Sequence, residues 1–408
     1  MRFVPRHLTP TLRRAVKTFP AVLVTGARQT GKTTLLRREF GKTHRFASLE
    51  RPDVRERARS DPAGFFRDHR APLILDEIQY APELLHHVKE LIDERRVAGR
   101  WLLTGSQSFG LMQGISQTLA GRVAVLTLDP LSVAETTHSR PQPVGRLLAR
   151  VFSASSVRPR TARAPALGDW LLRGGYPELR TRPRVDRTIW LSSYVQTYIE
   201  RDVRTLRAVG DLDSFSRFVR LAAARNGAIV NLADLARDAG VSAPTAKSWL
   251  SILTATNVVY LLRPYHRNFG KRLVKAPKLY FTDPALAAWL IGLHDPDAIL
   301  HGPAIGGLLE SAVVSEWIKA FHGSGLEPPL YYWRSSAGHE VDLVIDHGGV
   351  LHAVEIKKTA TPRPAHAASL ARFLEMAGPT TRGALACDVA RPTALRPSIR
   401  AVPWHLGW

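Results

Sequence analysis

Eight consecutive residues near the start of the sequence have the spacing of a phosphate-binding loop. They read Gly26-Ala27-Arg28-Gln29-Thr30-Gly31-Lys32-Thr33 and satisfy the pattern G-x-x-x-x-G-K-[ST]. In such a loop, backbone amides of the loop and of the following helix point at phosphate oxygens, and the lysine reaches the β- and γ-phosphates. We therefore predict that residues 26–34, which include Thr34, bind ATP, and that the hydroxyl of Thr33 ligates Mg²⁺.

Two adjacent carboxylates supply the second half of this predicted site. Asp76 and Glu77 directly follow the apolar run Leu73-Ile74-Leu75. We expect Asp76 to hold the magnesium ion through water and Glu77 to polarise the attacking water as a general base. Together with the catalytic Lys32, these residues predict a P-loop ATP hydrolase.

A further group of charged residues lies near the end of the sequence. Asp342, Glu355 and Lys357 have the order and spacing of a D…E-x-K site. If Gly348-Gly349 is a two-residue hairpin turn, Asp342 faces Glu355, Glu340 faces Lys357, and all four side chains lie on one face. Opposed carboxylates repel unless a cation lies between them, so this pattern predicts Mg²⁺ or Mn²⁺, with Lys357 orienting water or stabilising charge. The alternative is an exposed cross-strand ion pair between Glu340 and Lys357.

Short apolar runs alternate with helical spacing around the phosphate-binding loop. We predict buried strands over Ala21 to Thr25, Leu73 to Leu75 and Trp101 to Thr104. Helices are predicted from Lys32 to about Phe40 and from Pro82 to Arg95. Strand and helix in alternation indicate an α/β fold with a parallel sheet.

The middle of the sequence predicts a loop and then a long helix. Residues 141–166 are rich in Pro, Arg, Ser and Ala and contain no acidic residue, which favours a mobile basic loop. A helix is predicted from Val185 to about Leu206. It carries Trp190, Tyr194 and Tyr198 on one face, either as core or as a stacking platform for bases.

A helix-turn-helix pattern follows. Leu232, Leu235, Ala236 and Ala239 form one helical stripe, and Gly240-Val241 makes a turn before Ser242. In the second helix, Trp249, Leu250 and Leu253 should pack inward, whereas Thr245, Lys247 and Ser248 should face solvent. The outward residues could contact DNA, or the unit could be a structural lid. A basic tract that strengthens the DNA interpretation comprises Arg263, His266, Arg267, Lys271, Arg272, Lys275 and Lys278.

The composition narrows the possible partners and compartment. The 408 residues carry a net charge of +22, which favours a polyanionic partner such as DNA, with solubility alone as the alternative. A single cysteine excludes an internal disulfide and favours a reducing compartment. No apolar run approaches the length of a membrane helix, so we expect a cytoplasmic protein without a membrane partner.

The motifs together resemble those of a known family. Leu75-Asp-Glu-Ile-Gln79, Leu103-Thr-Gly-Ser106, Leu119-Ala-Gly-Arg122, Gly174-Gly-Tyr-Pro177 and Glu340-Val-Asp342 are similar to those of predicted ATPases that join an AAA-type (AAA+) domain to the domain of unknown function 4143. The resemblance implies that Thr104 or Ser106 is a polar sensor. It also implies that Arg122 is an arginine finger supplied within a homo-oligomer. A surface or structural role for Arg122 is the alternative.

The end of the chain resembles the PD-(D/E)xK nucleases, and this resemblance adds Glu310 to the predicted metal site. An active nuclease, an inactive nuclease-like fold and neither of these remain open. The implied architecture is a P-loop ATPase domain (1–135), a basic insertion and helical lid (136–212), a winged helix-turn-helix (213–276) and a restriction-endonuclease-like α/β domain (277–408).

Two functions are compatible with these patterns. The first is an ATPase that acts on DNA, with metal-dependent nuclease activity as an open question, and it predicts hydrolysis stimulated by DNA. The second is an ATP-dependent regulatory switch, in defence or toxin control, whose C-terminal domain is an inactive adaptor. It predicts slow hydrolysis that is indifferent to DNA.

Overall fold

The computed structural model describes residues 3–106, 114–115, 117–152, 164–199, 212–266 and 276–405. Within these ranges no helix is both long enough and apolar enough to cross a lipid bilayer.

The first part of the chain folds as a parallel sheet flanked by helices, which confirms the predicted fold class. The five strands have the order β2-β3-β4-β1-β5, and every pair is parallel. All residues of β1, β3 and β4 are buried. In chain order the elements are α1 (Thr9–Thr18), β1 (Ala21–Thr25), α2 (Lys32–Phe40), β2 (Arg45–Ser48), α3 (Pro52–Ser60), α4 (Pro62–Asp68), β3 (Leu73–Asp76), α5 (Leu84–Glu94), β4 (Trp101–Thr104) and β5 (Val123–Thr127).

The strand order places the predicted nucleotide-binding residues together. Strand β4 lies between β1 and β3. Because the strands are parallel, their carboxyl ends meet at one edge of the sheet, where ligands bind in open α/β sheets. The loop after β1, the Asp76-Glu77 pair at the end of β3 and Thr104 at the end of β4 therefore share that edge.

The predicted mobile basic loop is partly wrong, because its first half is a helix. Residues Val144–Phe152 form a helix with Val144, Leu147, Leu148 and Val151 buried. The loop was predicted from composition, and this apolar spacing at i, i+3, i+4 and i+7 is the signal that the composition hid. Arg158, Arg160 and Arg163 lie outside the described residues.

A predominantly helical region connects the parallel sheet to the end of the chain. Its elements are α6 (Val133–Thr136), α7 (Val144–Phe152), α8 (Leu167–Arg173), α9 (Pro177–Thr181), α10 (Arg187–Tyr194), a π-helical turn (Val195–Ile199), α11 (Leu212–Ala224), α12 (Leu232–Ala239) and α13 (Ala243–Ala255). Trp190 and Tyr194 of α10 stack with ring centroids 5.3 Å apart and pack with the core of this region, as the core interpretation predicts. The side chain of Tyr198 and residues 200–206 lie outside the described part.

The predicted helix-turn-helix is confirmed as a pair of helices. Helix α12 ends at Gly240, whose φ is +75°, and α13 begins after Ser242, whose side chain accepts from the amide of Thr245. Trp249 and Leu253 are buried, whereas Lys247 and Ser248 are exposed and Thr245 is partly exposed.

The last part of the chain forms an eight-stranded sheet of mixed direction, ordered β12-β13-β11-β10-β9-β8-β6-β7. Its elements are β6 (Val259–Pro264), β7 (Lys278–Phe281), α14 (Pro284–Leu290), α15 (Pro296–His301), α16 (Ile305–Gly323), β8 (Leu330–Arg334), β9 (Glu340–His347), β10 (Val350–Ile356), α17 (Ala368–Ala377), β11 (Arg382–Cys387), β12 (Thr393–Arg396) and β13 (Ile399–Pro403). Strand β6 pairs with β7 on one side and with β8 on the other. The predicted boundary at residue 276 thus falls between two strands of one sheet.

The hairpin register at the end of the chain agrees with the prediction. Val350 pairs with His347, and Val354 pairs with Leu343. Gly348 and Gly349 have φ values of +62° and +75°, the left-handed conformation that a two-residue turn of this type requires. Extended by one position past Leu343 and Val354, this register sets Asp342 opposite Glu355.

Candidate functional site

The loop between β1 and α2 has the backbone of a phosphate cradle. Gly26 has a φ of +128°, and a Cβ there would lie 2.3 Å from the carbonyl oxygen of Leu128. Gly31 has a φ of +91°, and a Cβ there would stand in open space. Helix α2 begins at this glycine without a side-chain cap. Its first amides are therefore not bonded by a capping side chain, and such amides are the groups that bind phosphate.

Lys32 is held over this loop by the loop's own backbone. Its Nζ donates to the carbonyl oxygens of Gly26 at 3.1 Å and Ala27 at 2.8 Å, and the residue is only 5% exposed. An ammonium fixed at the loop is placed to neutralise charge on bound phosphates.

Asp76 accepts hydrogen bonds from hydroxyl groups on three elements. Its Oδ1 accepts from Thr33 and from Thr104, both at 2.6 Å, and its Oδ2 accepts from Ser48 at 3.3 Å. The hydroxyl of Thr33 and a buried carboxylate are thus in direct contact. Oxygen donors of this kind suit Mg²⁺, which retains several waters in P-loop sites.

Glu77 is positioned through its backbone. The residue has left-handed dihedral angles, φ +58° and ψ +51°. Its amide donates to the hydroxyl of Thr104 at 3.0 Å, and its Oε2 accepts a hydrogen bond from the side chain of Gln79. Of the two sensor candidates, Thr104 is the residue that bridges Asp76 and Glu77, while Ser106 is buried two residues further along.

Arg122 binds a carboxylate of its own domain. Its guanidinium donates to both oxygens of Asp93, at 2.6 and 3.0 Å. This hydrogen bond is the main reason why the pKa of Asp93 is lowered. The contact fits the structural alternative, and the arginine-finger role stays a prediction.

Arg6, which the sequence analysis did not identify, binds the backbone of the phosphate-binding loop. The buried guanidinium donates to the carbonyl oxygen of Thr30 at 2.7 Å, to that of Asp129 at 2.5 Å and to Glu135 at 3.0 Å. No local motif marks such a residue. Its arginine type and its place before the loop are the only signals in the sequence.

The predicted nuclease-like residues come together, but around an amino group. The Nζ of Lys278 lies 3.5 Å from Glu310 Oε2 and 3.9 Å from Asp342 Oδ1, and it forms an ion pair with Glu340. Its side chain is 5% exposed. The assignment of Lys278 to a basic tract that strengthens DNA binding is therefore wrong. Arg267, Lys271, Arg272 and Lys275 of that tract lie outside the described residues.

The remaining partners in this acidic cluster (Glu310, Glu340, Asp342 and Glu355) differ from the predicted ones. Lys357 pairs with Glu355 at 2.8 Å and Glu340 with Lys278, so the alternative of a Glu340–Lys357 pair is wrong. Tyr280, which the sequence reasoning missed, donates to Glu310 at 2.7 Å. The amide of Ile356 donates to Asp342 at 2.8 Å.

Burial makes charge costly in the acidic cluster. Desolvation, and then repulsion from Asp342, raise the pKa of Glu310 and of Glu355 to about 7. Desolvation likewise raises the pKa of Asp342. Burial alone would lower the pKa of Lys278, but attraction by Glu310, Asp342 and Glu340 raises it. The pKa values of these carboxyl groups are raised because the groups are buried with too few positive charges to stabilise their ionised forms.

The predicted Mg²⁺ or Mn²⁺ at the nuclease-like site does not fit this arrangement. Among the described residues, no three His, Cys, Asp or Glu side chains are disposed to hold a metal ion. Glu310, Glu340 and Asp342 share the ammonium of Lys278 instead, and Glu355 pairs with Lys357.

Helix α16 joins the acidic cluster to the ATPase domain. Glu310 lies near its first turn, whereas Glu316 further along accepts from the amide of Val133 at 3.0 Å. Lys319 donates to the carbonyl oxygen of Leu131 at 3.2 Å. His322 pairs with Asp129 at 2.7 Å, in the segment whose backbone also binds Arg6.

Three family models match successive parts of the chain. They describe an AAA domain over residues 18–137, a domain of unknown function (DUF8612) over 164–297 and a domain of unknown function (DUF4143) over 305–406. Uncharacterized protein Rv2008c of Mycobacterium tuberculosis and uncharacterized protein Mb2031c of Mycobacterium bovis are each 31% identical to the chain over 358 residues. The matches cover 88% of this chain and 74% of theirs.

Two solved structures show weak likeness. A Walker-type ATPase of Pyrococcus abyssi is 15% identical, with 69% of this chain and 94% of that chain covered and a TM-score of 0.45. The RuvB Holliday junction branch migration motor of Thermotoga maritima is 18% identical, with 64% and 90% covered and a TM-score of 0.30. Neither likeness bears on what this chain does. The glycine loop of residues 26–33 lies within the match to the AAA domain. Together with the match to DUF4143 and the two mycobacterial relatives, it shows that the chain belongs to the family of AAA-type P-loop ATPases that carry DUF4143.

Proposed function

We propose that the chain hydrolyses ATP at residues 26–34 and couples hydrolysis to action on DNA. The observation that carries the proposal is the contact of Thr33 and Thr104 with Asp76, each at 2.6 Å. A hydroxyl on the first turn of the phosphate-binding helix and a buried carboxylate at the end of a strand form the magnesium-binding pair of P-loop enzymes.

The site residues divide the chemistry of hydrolysis among them. Thr33 and Asp76 would hold Mg²⁺, which neutralises charge between the β- and γ-phosphates. Lys32 contacts the same phosphates, and Glu77 accepts the proton of the attacking water. Thr104 keeps Glu77 and Asp76 in fixed relation because its hydroxyl bonds to both. Arg122 is proposed to reach the γ-phosphate of a neighbouring subunit, and this contact requires release from Asp93.

The DNA component is supported by the exposed face of α13 and by net charge. Lys247 and Ser248 are exposed on that face, and the chain carries a net charge of +22. Binding of this kind is dominated by phosphate neutralisation and weakens as salt rises. Lys278 does not belong to this surface, because its side chain lies in the acidic cluster.

Steady-state ATP hydrolysis with and without duplex DNA tests the proposal. We expect DNA to raise the hydrolysis rate at low salt and to lose this effect at high salt. Lys32→Ala should abolish hydrolysis, and Lys247→Ala should reduce only the stimulation by DNA. Unchanged hydrolysis in Lys32→Ala would refute the nucleotide site, whereas hydrolysis indifferent to DNA at every salt concentration would refute only the DNA component.

The arrangement of Lys278 supports a second candidate function. An ATP-dependent regulatory switch, of the defence or toxin-control kind, would use the C-terminal domain as a non-cleaving adaptor. A carboxylate cluster neutralised by the chain's own lysine suits an adaptor better than a metal-dependent nuclease. This candidate predicts slow hydrolysis that DNA does not change and that a protein partner does.

A further inference from the structure

The position of Lys278 is fixed by the backbone around it. Strand β7 is buried along its whole length. Lys278 pairs with Leu262 of β6 and, on a separate bridge, with Ile229. The ammonium is also 5.8 Å from the ring centre of Tyr332, within the range of a cation–π contact. The strand pairs fix the backbone of Lys278, and from there its buried side chain reaches Glu310, Glu340 and Asp342.

The ammonium lies where a metal shared by Glu310 and Asp342 would bind, whereas Glu355 pairs with Lys357. Glu310 comes from α16 and Asp342 from β9, and the Nζ of Lys278 lies within 4 Å of an oxygen of each. A metal shared by these two carboxylates would require oxygens at about 2.1 Å for Mg²⁺, so it would lie no more than about 5.6 Å from the ammonium. Two cations at such a separation repel strongly in a buried site.

Other oxygens of the cluster are also engaged. Tyr280 donates to Glu310, the amide of Ile356 donates to Asp342, and Lys357 binds Oε1 of Glu355. The second oxygen of Glu355 is buried without a hydrogen-bond partner among the described residues. That oxygen could still accept from a cation, so a lack of oxygen ligands is not what would keep a metal from the cluster.

We infer that Lys278 is a built-in cation that occupies the metal position shared by Glu310 and Asp342, so that the acidic cluster binds no divalent metal while Lys278 is in place. The ammonium is supplied by the region matched to DUF8612, whereas the carboxylates belong to the region matched to DUF4143. The metal chemistry of one domain is therefore blocked by a side chain of the domain before it. The inference is independent of ATP hydrolysis.

Binding of Mn²⁺ to the full chain without nucleotide, measured by electron paramagnetic resonance, tests the inference. We expect wild type to bind no Mn²⁺ at the cluster and Lys278→Met to bind one ion there. Lys278→Arg, which keeps the charge, should behave as wild type. Adding Asp342→Asn to Lys278→Met should remove the gained site.

Three results would overturn the inference. Mn²⁺ binding by wild type that Asp342→Asn abolishes would show that Lys278 does not exclude metal, and this measurement needs no variant of Lys278. A folded Lys278→Met protein without gained affinity would show that the ammonium is not the obstacle, and Lys278→Gln repeats the test if the Met variant does not fold. Gained affinity that survives Asp342→Asn would place the metal elsewhere. Far-UV circular dichroism and ATP binding at the distant loop report the folding of each variant.

Discussion

Arg6 donates a hydrogen bond to the carbonyl oxygen of Thr30 at 2.7 Å, inside the phosphate-binding loop. The same guanidinium binds the carbonyl oxygen of Asp129 and the carboxylate of Glu135. One side chain near the start of the chain thus connects the loop to the segment on which helix α16 docks. The conformation of the loop depends on a residue outside the motif that defines it.

Arg6→Met should weaken both folding and nucleotide binding. Removing one partner of a buried ion pair leaves Glu135 less compensated and costs about 3 to 5 kcal/mol. Denaturant unfolding and ATP affinity are the measurements. Arg13→Met is the control, because the Arg13 side chain is 63% exposed in its pair with Glu39 and its loss should cost less than about 1 kcal/mol. Equal effects of the two substitutions would show that Arg6 does not support the loop.

Thr104→Ala should reduce the turnover number more than Ser106→Ala does. The hydroxyl of Thr104 orients both Asp76 and Glu77, and loss of such an outer partner of a metal site typically costs about 10- to 100-fold. Glu77→Gln should reduce turnover by roughly 10² to 10⁴ with ATP binding retained, as expected for a general base. Single-turnover hydrolysis at saturating ATP measures both. The reverse order of the Thr104 and Ser106 variants would assign the sensor role to Ser106.

Substitutions in the pair of Arg122 and Asp93 distinguish a catalytic role of Arg122 from a structural one. If Arg122 is an arginine finger, Arg122→Ala should lower turnover by about 10³ or more, whereas Asp93→Ala should leave it unchanged or raise it by freeing the guanidinium. If the pair is structural, both substitutions should have the same small effect on stability and neither should slow hydrolysis. Turnover and thermal unfolding of the two variants decide between these outcomes.

The ion pair of His322 with Asp129 should make docking of α16 sensitive to pH. Burial opposes the charged imidazole, but Asp129 outweighs it and raises the pKa of His322. A group whose pKa is higher in the folded state stabilises that state fully below its unfolded pKa, about 6.5, and loses this contribution as pH rises through the folded value. The stability difference between wild type and His322→Gln should therefore be largest in mild acid and shrink towards alkaline pH. A difference that grows with pH would contradict the assignment.

Prediction from sequence succeeded where the signal was local. The phosphate-binding loop, its strand and its helix are defined by adjacent residues, and the Gly348-Gly349 turn fixes the register of β9 and β10. The carboxyl ends of β1, β3 and β4 meet because parallel strands must align, so the contact of Thr33 with Asp76 could be anticipated.

Prediction failed where a residue acts far from its neighbours in the chain. Lys278 was grouped with Arg263 and Lys275 by charge, although it opens the apolar run Leu279-Tyr280-Phe281, and a lysine on a buried strand needs a carboxylate partner. Arg6 gives no local signal, because its partners lie in the loop and after β5. Helix α7 is not predicted because the Pro, Arg, Ser and Ala of the wider segment, residues 141–166, hide its apolar spacing.

The shared sheet determines where this chain can be cut. A fragment that starts at the DUF4143 match would lose β6 and β7, and with them the strand that pairs along β8. Its edge would then present unpaired amides and carbonyls to other molecules, a recognised route to aggregation. It would also retain Glu310, Glu340 and Asp342 without their internal counter-ion. The two C-terminal family regions therefore form one unit of folding, and studies of the isolated last domain would report on an altered molecule.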